Sequence, residues 1–189
     1  MAKVYEFLAE GFEEVEALAP VDILRRGGID VKTVSITKNP LVESSHGVIV
    51  KTDLLFEDIN DFSDVDLLML PGGMPGSKNL NEHEGLRNVL QQHFNKGKRV
   101  AAICAAPLVL ASIGLLKGKK ATIYPGMESY LGEDVEYTEA LVQEDGNITT
   151  GAGPAASFPY AYKLLSYFLP IEKVEEIRKG MIYDKLLNS

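Results

Sequence analysis

The chain has one cysteine, no tryptophan and three histidines among its 189 residues. A single cysteine cannot form an internal disulfide or a cysteine-rich zinc site. No apolar run approaches the ~18 residues that a membrane-spanning helix needs, and the amino terminus has no signal-peptide pattern. These absences predict a cytoplasmic protein, since a lone thiol suits a reducing compartment, with no membrane partner.

Positive charge is also scarce. The chain has 19 lysines and arginines against 27 aspartates and glutamates, which gives a formal net charge of −8. Binding to nucleic acid generally needs a basic surface that displaces the counterions of the phosphates. The charge balance therefore argues against a specific nucleic-acid partner.

Short apolar runs alternate with helical patterns along the whole chain, which has the length of one domain, residues 1–189. The predicted strands are Val4–Ala9, Val31–Ile36, Gly47–Thr52, Val65–Leu70 and Arg99–Ile103, followed by a hairpin within Glu136–Thr150. The predicted helices are Glu13–Arg26, Leu86–Asn95, one opened by Pro107, Ser157–Leu169 and Ile171–Leu187. Pro20 is expected to kink the first helix, whose apolar stripe is Val15, Leu18, Ala19 and Ile23. This alternation predicts an α/β fold, a three-layer α/β/α sandwich around a mostly parallel sheet.

The strongest candidate for chemistry is Cys104, which directly follows the predicted buried strand Arg99–Ile103. Ligands of open α/β sheets bind at the carboxyl ends of the strands. Small residues flank the cysteine and a helix begins at once, which is the pattern of a nucleophile elbow. The helix N-terminus favours the thiolate and predicts a thiol pKa below the usual ~8.5. Its N–H groups, with those of Gly72 and Gly73 at another strand end, could form an oxyanion hole. The competing interpretation is a small buried hydrophobic residue, the usual role of a free cysteine.

No histidine follows a strand in the manner of a catalytic triad. His93 lies on an apolar helical stripe and is expected to be packed, whereas His46 and His83 lie in polar segments. The alternative partner for the thiol is an acid at the first strand-to-helix turn, among Glu13, Glu14 and Glu16. Glutamates there usually complement the helix dipole. Glu16, deepest in the first turn, is the one that could face the crevice.

Four segments carry a resemblance to a known family. In order, they are AEGFEEVEALAPVDILRRGGI, VDLLMLPGGMPGSKNL, VAAICAAPLVLASIGLLKGKKAT and TTGAGPAASFPYA. Together they resemble the ThiJ/PfpI superfamily, and most of all its DJ-1 branch. The resemblance implies a flavodoxin-like sandwich, related to class I glutamine amidotransferases, and a homodimer.

The resemblance also implies roles for individual residues. Cys104 matches the reactive cysteine of the family, and Glu16 matches the glutamate whose protonated carboxyl bonds to the sulfur. Gly73 and Ala105 match the positions whose backbone N–H groups face the site. Asp22 and Arg26 resemble residues of the first helix that reach toward the site of the partner subunit.

Three positions depart from the pattern of many members. Tyr124 stands where many have a histidine, so it is a candidate site-lining residue without a clear acid–base role. Ala105 stands where PfpI-type peptidases have a histidine, which argues against a protease. Ala152 stands where some members have an arginine that would hold an anion.

The family resemblance implies a cysteine-dependent enzyme of the glyoxalase III or deglycase type, classed as a hydro-lyase or a hydrolase. Its substrates would be methylglyoxal, glyoxal and their early adducts on protein groups, and it would need no metal or organic cofactor. The alternative is a stress protein or chaperone that senses oxidation at Cys104. Both interpretations use the same site, so the sequence leaves them open.

Overall fold

A seven-stranded sheet forms the middle of the computed structural model, which describes residues 1–187. Its strand order is β10-β11-β7-β6-β1-β2-β5, and its neighbouring strands are parallel except for the antiparallel pair β10–β11. Two small two-stranded sheets, β3–β4 and β8–β9, lie outside it. The strands are β1 Lys3–Leu8, β2 Asp30–Ser35, β3 Leu41–Glu43, β4 Ile49–Lys51, β5 Leu54–Leu55, β6 Leu67–Leu70, β7 Arg99–Ile103, β8 Lys120–Ala121, β9 Glu136–Tyr137, β10 Val142–Asp145 and β11 Ile148–Gly151.

Helices cover both faces of this sheet. They are α1 Glu14–Arg26, α2 Gly76–Glu82, α3 Glu84–Asn95, α4 Pro107–Ser112, α5 Ser157–Leu165, α6 Ile171–Gly180 and α7 Tyr183–Leu186, with short 3₁₀ turns at Phe56–Asp58, Glu128–Tyr130 and Pro154–Ala156. One apolar cluster packs α2, α3 and α4 on one face, and a second packs α1, α5 and α6 on the other. The predicted α/β/α sandwich with a mostly parallel sheet is therefore confirmed.

The first helix shows how a local pattern can mislead. The Glu13 side chain caps α1 by accepting a hydrogen bond from the Glu16 N–H, and the helix runs through Pro20 without a break. The predicted apolar stripe is wrong in part, because Val15 and Leu18 are exposed although Ile23 is buried. The buried residues are Glu16, Ala17, Pro20, Val21, Ile23 and Leu24. The Glu16 carboxyl thus lies in the core, a position that the spacing of apolar residues does not predict for it.

Other helix and strand boundaries differ from the predicted ones by a few residues, and some elements differ in kind. The predicted strand Gly47–Thr52 is the shorter β4, which pairs with β3 outside the main sheet. The predicted last helix is divided into α6 and α7 at Ile182, whose φ of 58° is left-handed. The hairpin within Glu136–Thr150 is present as β10–β11, whereas α2 was not predicted. Within the described residues, no helix combines the length and the apolar composition that crossing a membrane requires.

Candidate active site

Cys104 lies at a sharp turn between β7 and α4. Its φ is 62°, a left-handed conformation that residues other than glycine rarely adopt. Two backbone hydrogen bonds hold this turn: the Cys104 N–H donates to the Gly151 carbonyl at 2.8 Å, and its carbonyl accepts from the Tyr124 N–H at 2.9 Å. Pro107 begins α4 three residues later. This strained strand-to-helix geometry is the predicted nucleophile elbow.

Glu16 reaches the same point from α1. It is the third residue of the helix and fully buried. Its Oε2 accepts a hydrogen bond from the Gly72 N–H at 3.0 Å, and its carboxyl interacts with the Cys104 thiol. A Cβ on Gly72 would lie 2.6 Å from the Cys104 Cβ and closer still to Glu16 Oε2. Only glycine therefore lets the acid and the thiol approach each other here.

Burial dominates the electrostatics of this pair. Loss of hydration raises the pKa of Glu16 to about 7, against the opposing hydrogen bonds from Cys104 and Gly72. Burial and the Glu16 carboxylate raise the pKa of the Cys104 thiol, whereas the backbone N–H groups of Gly73 and Ala105 lower it. The expectation of a lowered thiol pKa is therefore wrong. It counted the helix and its N–H donors but not burial.

The loop carrying Gly73 depends on its backbone shape. Gly73 has a φ of +90°, and a Cβ there would lie 2.5 Å from the Glu13 nitrogen. With this shape, the Gly73 N–H acts on the Cys104 sulfur from one side and the Ala105 N–H acts on it from the start of the turn into α4. The arrangement offers two donors to a negative charge at or near the sulfur.

The other predicted residues lie at different distances from this centre. Tyr124 is bonded to Cys104 through its backbone, and its half-exposed ring lies beside Gly153, where a Cβ would come within 3.2 Å of the ring. Asp22 and Arg26 are exposed and form an ion pair with each other at 2.7 Å. The structure therefore does not bring Asp22 and Arg26 to Cys104 within one chain.

The three histidines have contacts away from the thiol. His93 is buried, and burial lowers its pKa to about 4, which fits the expected packed histidine. His83 caps α3 by accepting from the Leu86 N–H at 3.0 Å, and it is half-buried rather than exposed. His46 is exposed and pairs with Glu14 at 3.0 Å.

Among residues 1–187, one group of side chains has donor atoms close enough for a metal ion. Glu13, Glu14 and His46 have ligand atoms within 4.8 Å of one another. Each already has a function in the fold, because Glu13 caps α1 and Glu14 pairs with His46. These contacts account for the cluster without an ion.

Two further buried polar residues were not singled out from the sequence. Glu6 on β1 and Tyr160 on α5 are each about 1% exposed. The signal for Glu6 was a charged residue within the apolar run Val4–Ala9. For Tyr160 there was no such signal, because a tyrosine on the inner face of an amphipathic helix is ordinary.

The fold and this site together define an α/β protein with a cysteine at a nucleophile elbow and a neighbouring buried acid. Residues 2–167 match the model of the DJ-1/PfpI family. The chain belongs to that family, and the resemblance to its DJ-1 branch is confirmed.

This chain covers most of the length of some relatives and less than half of others. The chain is 34% identical over 177 residues to the Parkinson disease protein 7 homolog of Danio rerio, covering 93% of this chain and 94% of that one. It spans only 44% of protein DJ-1 homolog A of Arabidopsis thaliana, at 40% identity over 90% of this chain. A protein of Pyrococcus horikoshii named a deglycase is 37% identical over 81% of this chain and 91% of its own. Among solved structures, oxidized Toxoplasma gondii DJ-1 superposes with a TM-score of 0.91 at 34% identity, covering 96% of this chain and 98% of that chain.

Proposed function

We propose that this protein is a cysteine-dependent, cofactor-free enzyme of the glyoxalase III or deglycase type. The observation that carries the proposal is the meeting of the Cys104 thiol, the buried Glu16 carboxyl and the two backbone N–H donors of Gly73 and Ala105. The deglycase names of relatives from Pyrococcus horikoshii and Pyrococcus abyssi support the same class of reaction. Its substrates are methylglyoxal, glyoxal and their early adducts on proteins.

The thiolate of Cys104 attacks the aldehyde carbon, and a carbon–sulfur bond forms. The carbonyl oxygen becomes an oxyanion, which the N–H groups of Gly73 and Ala105 stabilise until it takes the proton of neutral Glu16, and Glu16 is left as a carboxylate that can act as a base. Glu16 then removes a proton from this carbon and returns it to the neighbouring carbon, so that the former ketone is reduced as the aldehyde carbon is oxidised to a thioester. Water hydrolyses the thioester to a hydroxy acid and frees the thiol.

This reaction needs the charge on sulfur and the proton on Glu16. After the pair of Cys104 and Glu16 has lost one of its two protons, the remaining proton can lie on either group. The apparent pKa of this first ionisation therefore belongs to the pair and not to one residue. An ionised Glu16 repels the thiolate, whereas a protonated one donates to it. The form with neutral Glu16 and charged sulfur is the reactive one, and the donors from Gly73 and Ala105 favour it.

We propose a homodimer formed through α1 and the β3–β4 hairpin. Val15 and Leu18 on α1 are 45% and 38% exposed, and Val48 and Ile49 of the hairpin are 43% and 62% exposed. Val21 on the same helix is buried within the chain and is not part of this surface. Asp22 and Arg26 extend from the same helix, and in the dimer they reach toward the partner's site.

The second candidate is a redox-responsive stress protein or chaperone in the cytoplasm. It is favoured by the similar Toxoplasma gondii structure, which is described as oxidized. In this function Cys104 is converted by peroxide to sulfenic and then sulfinic acid, and neutral Glu16 donates a hydrogen bond to the product. A pure sensor does not consume methylglyoxal.

Loss of methylglyoxal from freshly reduced protein tests the proposal. We expect turnover in the parent, none in Cys104→Ala, and a ~100- to 10,000-fold loss in Glu16→Gln, the range typical of acid–base groups. Glu82→Gln, at an exposed carboxyl on α2, is the matched control. Turnover equal to the parent's in Glu16→Gln would show that the proton-transfer role is wrong, and absence of turnover in the parent would favour the sensor.

A further inference from the structure

A second buried acid, Glu6, lies on the sheet face that α1 and α5 cover. It is in β1, an inner strand, where its backbone pairs in register with Thr33 and Met69. Its Oε2 is buried and has no hydrogen-bond partner among the described residues. An uncompensated buried carboxyl is costly unless it is neutral. Burial raises the pKa of Glu6 well above its usual value, which favours the neutral carboxyl, and a neutral carboxyl can donate a hydrogen bond.

Tyr160 of α5 packs directly beneath the elbow. A Cβ on Gly151 would lie 3.1 Å from its ring and 2.8 Å from Ile103. These two residues hold Cys104, since Ile103 precedes it and Gly151 accepts its N–H. The Tyr160 hydroxyl is buried without a partner. Burial raises the pKa of Tyr160, and ionised Glu6 or Glu16 would raise it further, so the hydroxyl remains a donor.

Glu16 lacks a hydrogen-bond donor to one of its carboxylate oxygens when it gives up its proton. Its Oε2 is bonded to the Gly72 N–H, whereas its buried Oε1 has no hydrogen-bond partner. A buried carboxylate with one oxygen unpaired is strongly disfavoured, because charged groups lose more than neutral ones when they leave water. A donor on the inner side of Glu16 would lower that penalty.

We propose that the Tyr160 hydroxyl donates a hydrogen bond to Oε1 of the ionised Glu16, and that protonated Glu6 donates to the Tyr160 oxygen behind it. Tyr160 and Glu6 are thus positioning residues, which act on the reaction through Glu16. The inference extends the acid–base role proposed for Glu16. It requires these side chains to rotate toward one another, since the atoms involved are unpartnered in the structure.

The charged and titratable neighbours are otherwise engaged. Arg25 acts on the charge of Glu6, but its guanidinium binds the Val31 carbonyl and Asp53. Tyr167 acts on Tyr160, but its hydroxyl is bonded to Thr149 at 2.7 Å. Glu16 itself faces Glu13 and Cys104.

Ser157, also on α5, has another buried hydroxyl without a partner. It is the competing donor to Glu16. Tyr160 is favoured because the charge of Glu16 acts on its hydroxyl, and because Glu6 can support it from behind.

The rate of Cys104 alkylation by iodoacetamide as a function of pH tests this arrangement without any turnover. The chain has one cysteine, so the signal is unambiguous, and its midpoint reports the first proton lost by the pair. Tyr160→Phe removes the donor to the carboxylate and is expected to raise this midpoint by about one unit. The rate below the midpoint should stay the same and the plateau rate above it should rise ~10-fold, because the thiolate beside neutral Glu16 does not use this donor. At a pH below the midpoint, where Glu16 is neutral, stability should not fall, because the deleted hydroxyl has no partner in the structure.

Glu6 provides a second, independent variant. Glu6→Gln keeps a donor to the Tyr160 oxygen and is expected to keep the parent's midpoint, whereas Glu6→Leu should raise it. Tyr167→Phe, which removes a nearby hydroxyl bonded elsewhere, is the control for the loss of a phenol. An unchanged midpoint in both Tyr160→Phe and Glu6→Leu would overturn the proposal, as would a shift in Ser157→Ala in place of Tyr160→Phe. If the parent consumes no methylglyoxal, the proposed function fails, but these midpoints still decide the inference.

Discussion

Replacing Glu16 by Gln should change how the stability of the protein depends on pH. The pKa of Glu16 is about 7 in the folded protein against 4.5 for the free side chain. Between these values the folded state holds a proton that the unfolded state has released. The contribution of Glu16 to stability is therefore fully present below its unfolded pKa and is lost as pH rises through the folded pKa.

The size of the effect follows from the shift. A difference of one pKa unit corresponds to about 1.4 kcal/mol, so Glu16 should reduce the free energy of unfolding by about 2.5 kcal/mol between about pH 5 and about pH 8. Gln cannot ionise and has no such loss. The stability of Glu16→Gln relative to the parent should therefore rise by about 2.5 kcal/mol over the same range.

Urea unfolding at a series of pH values measures this difference. Comparison with the parent at each pH cancels the contributions of other groups, including Glu6, which acts in the same direction, and His93, which acts in the opposite one. Glu82→Gln serves as the control for the loss of one carboxyl. A difference between Glu16→Gln and the parent that stays constant within about 0.5 kcal/mol across the range would refute the raised pKa.

Three further predictions concern packing and titration. Gly72→Ala should destabilise the protein by more than ~2 kcal/mol and abolish alkylation of Cys104, because the new Cβ would lie 2.9 Å from the Ile103 carbonyl oxygen and would also meet Glu16 and Cys104. Gly180→Ala, with open space around the new Cβ, should change neither the free energy of unfolding nor the alkylation rate when the two variants are assayed in parallel. His93→Gln should flatten the loss of stability as pH falls from 6.5 to about 4, since the pKa of His93 is lowered across that window, and the slope of unfolding free energy against pH reports it. Leu18→Glu should convert the proposed dimer to a monomer, measured by light scattering during gel filtration; an unchanged mass would contradict an interface through α1.

The sequence was sufficient to predict the sheet and the elbow because both depend on local patterns. The buried run Arg99–Ile103 has the bounds that the structure gives β7, and Cys104 follows it at the turn. The hairpin β3–β4 and the division between α6 and α7 were not predicted. Strand pairing between Leu41–Glu43 and Ile49–Lys51 and a left-handed Ile182 are set by tertiary contacts, and a pattern of side-chain types does not encode them.

Which side of α1 faces the core could not be read from apolar spacing, for a reason that bears on function. Glu16 is buried although a carboxyl loses hydration there, and Val15 beside it is exposed although it would gain from burial. The helix is rotated so that its third residue meets Cys104, with Glu13 holding the first turn and Gly72 making room for the carboxyl. A buried carboxyl and an exposed valine both depart from the usual burial preference of their residue types, and both follow from the contact between Glu16 and Cys104. The rotation of α1 is therefore part of the site, and the exposed face that it leaves, Val15 and Leu18, is the surface that we assign to a second copy of the chain.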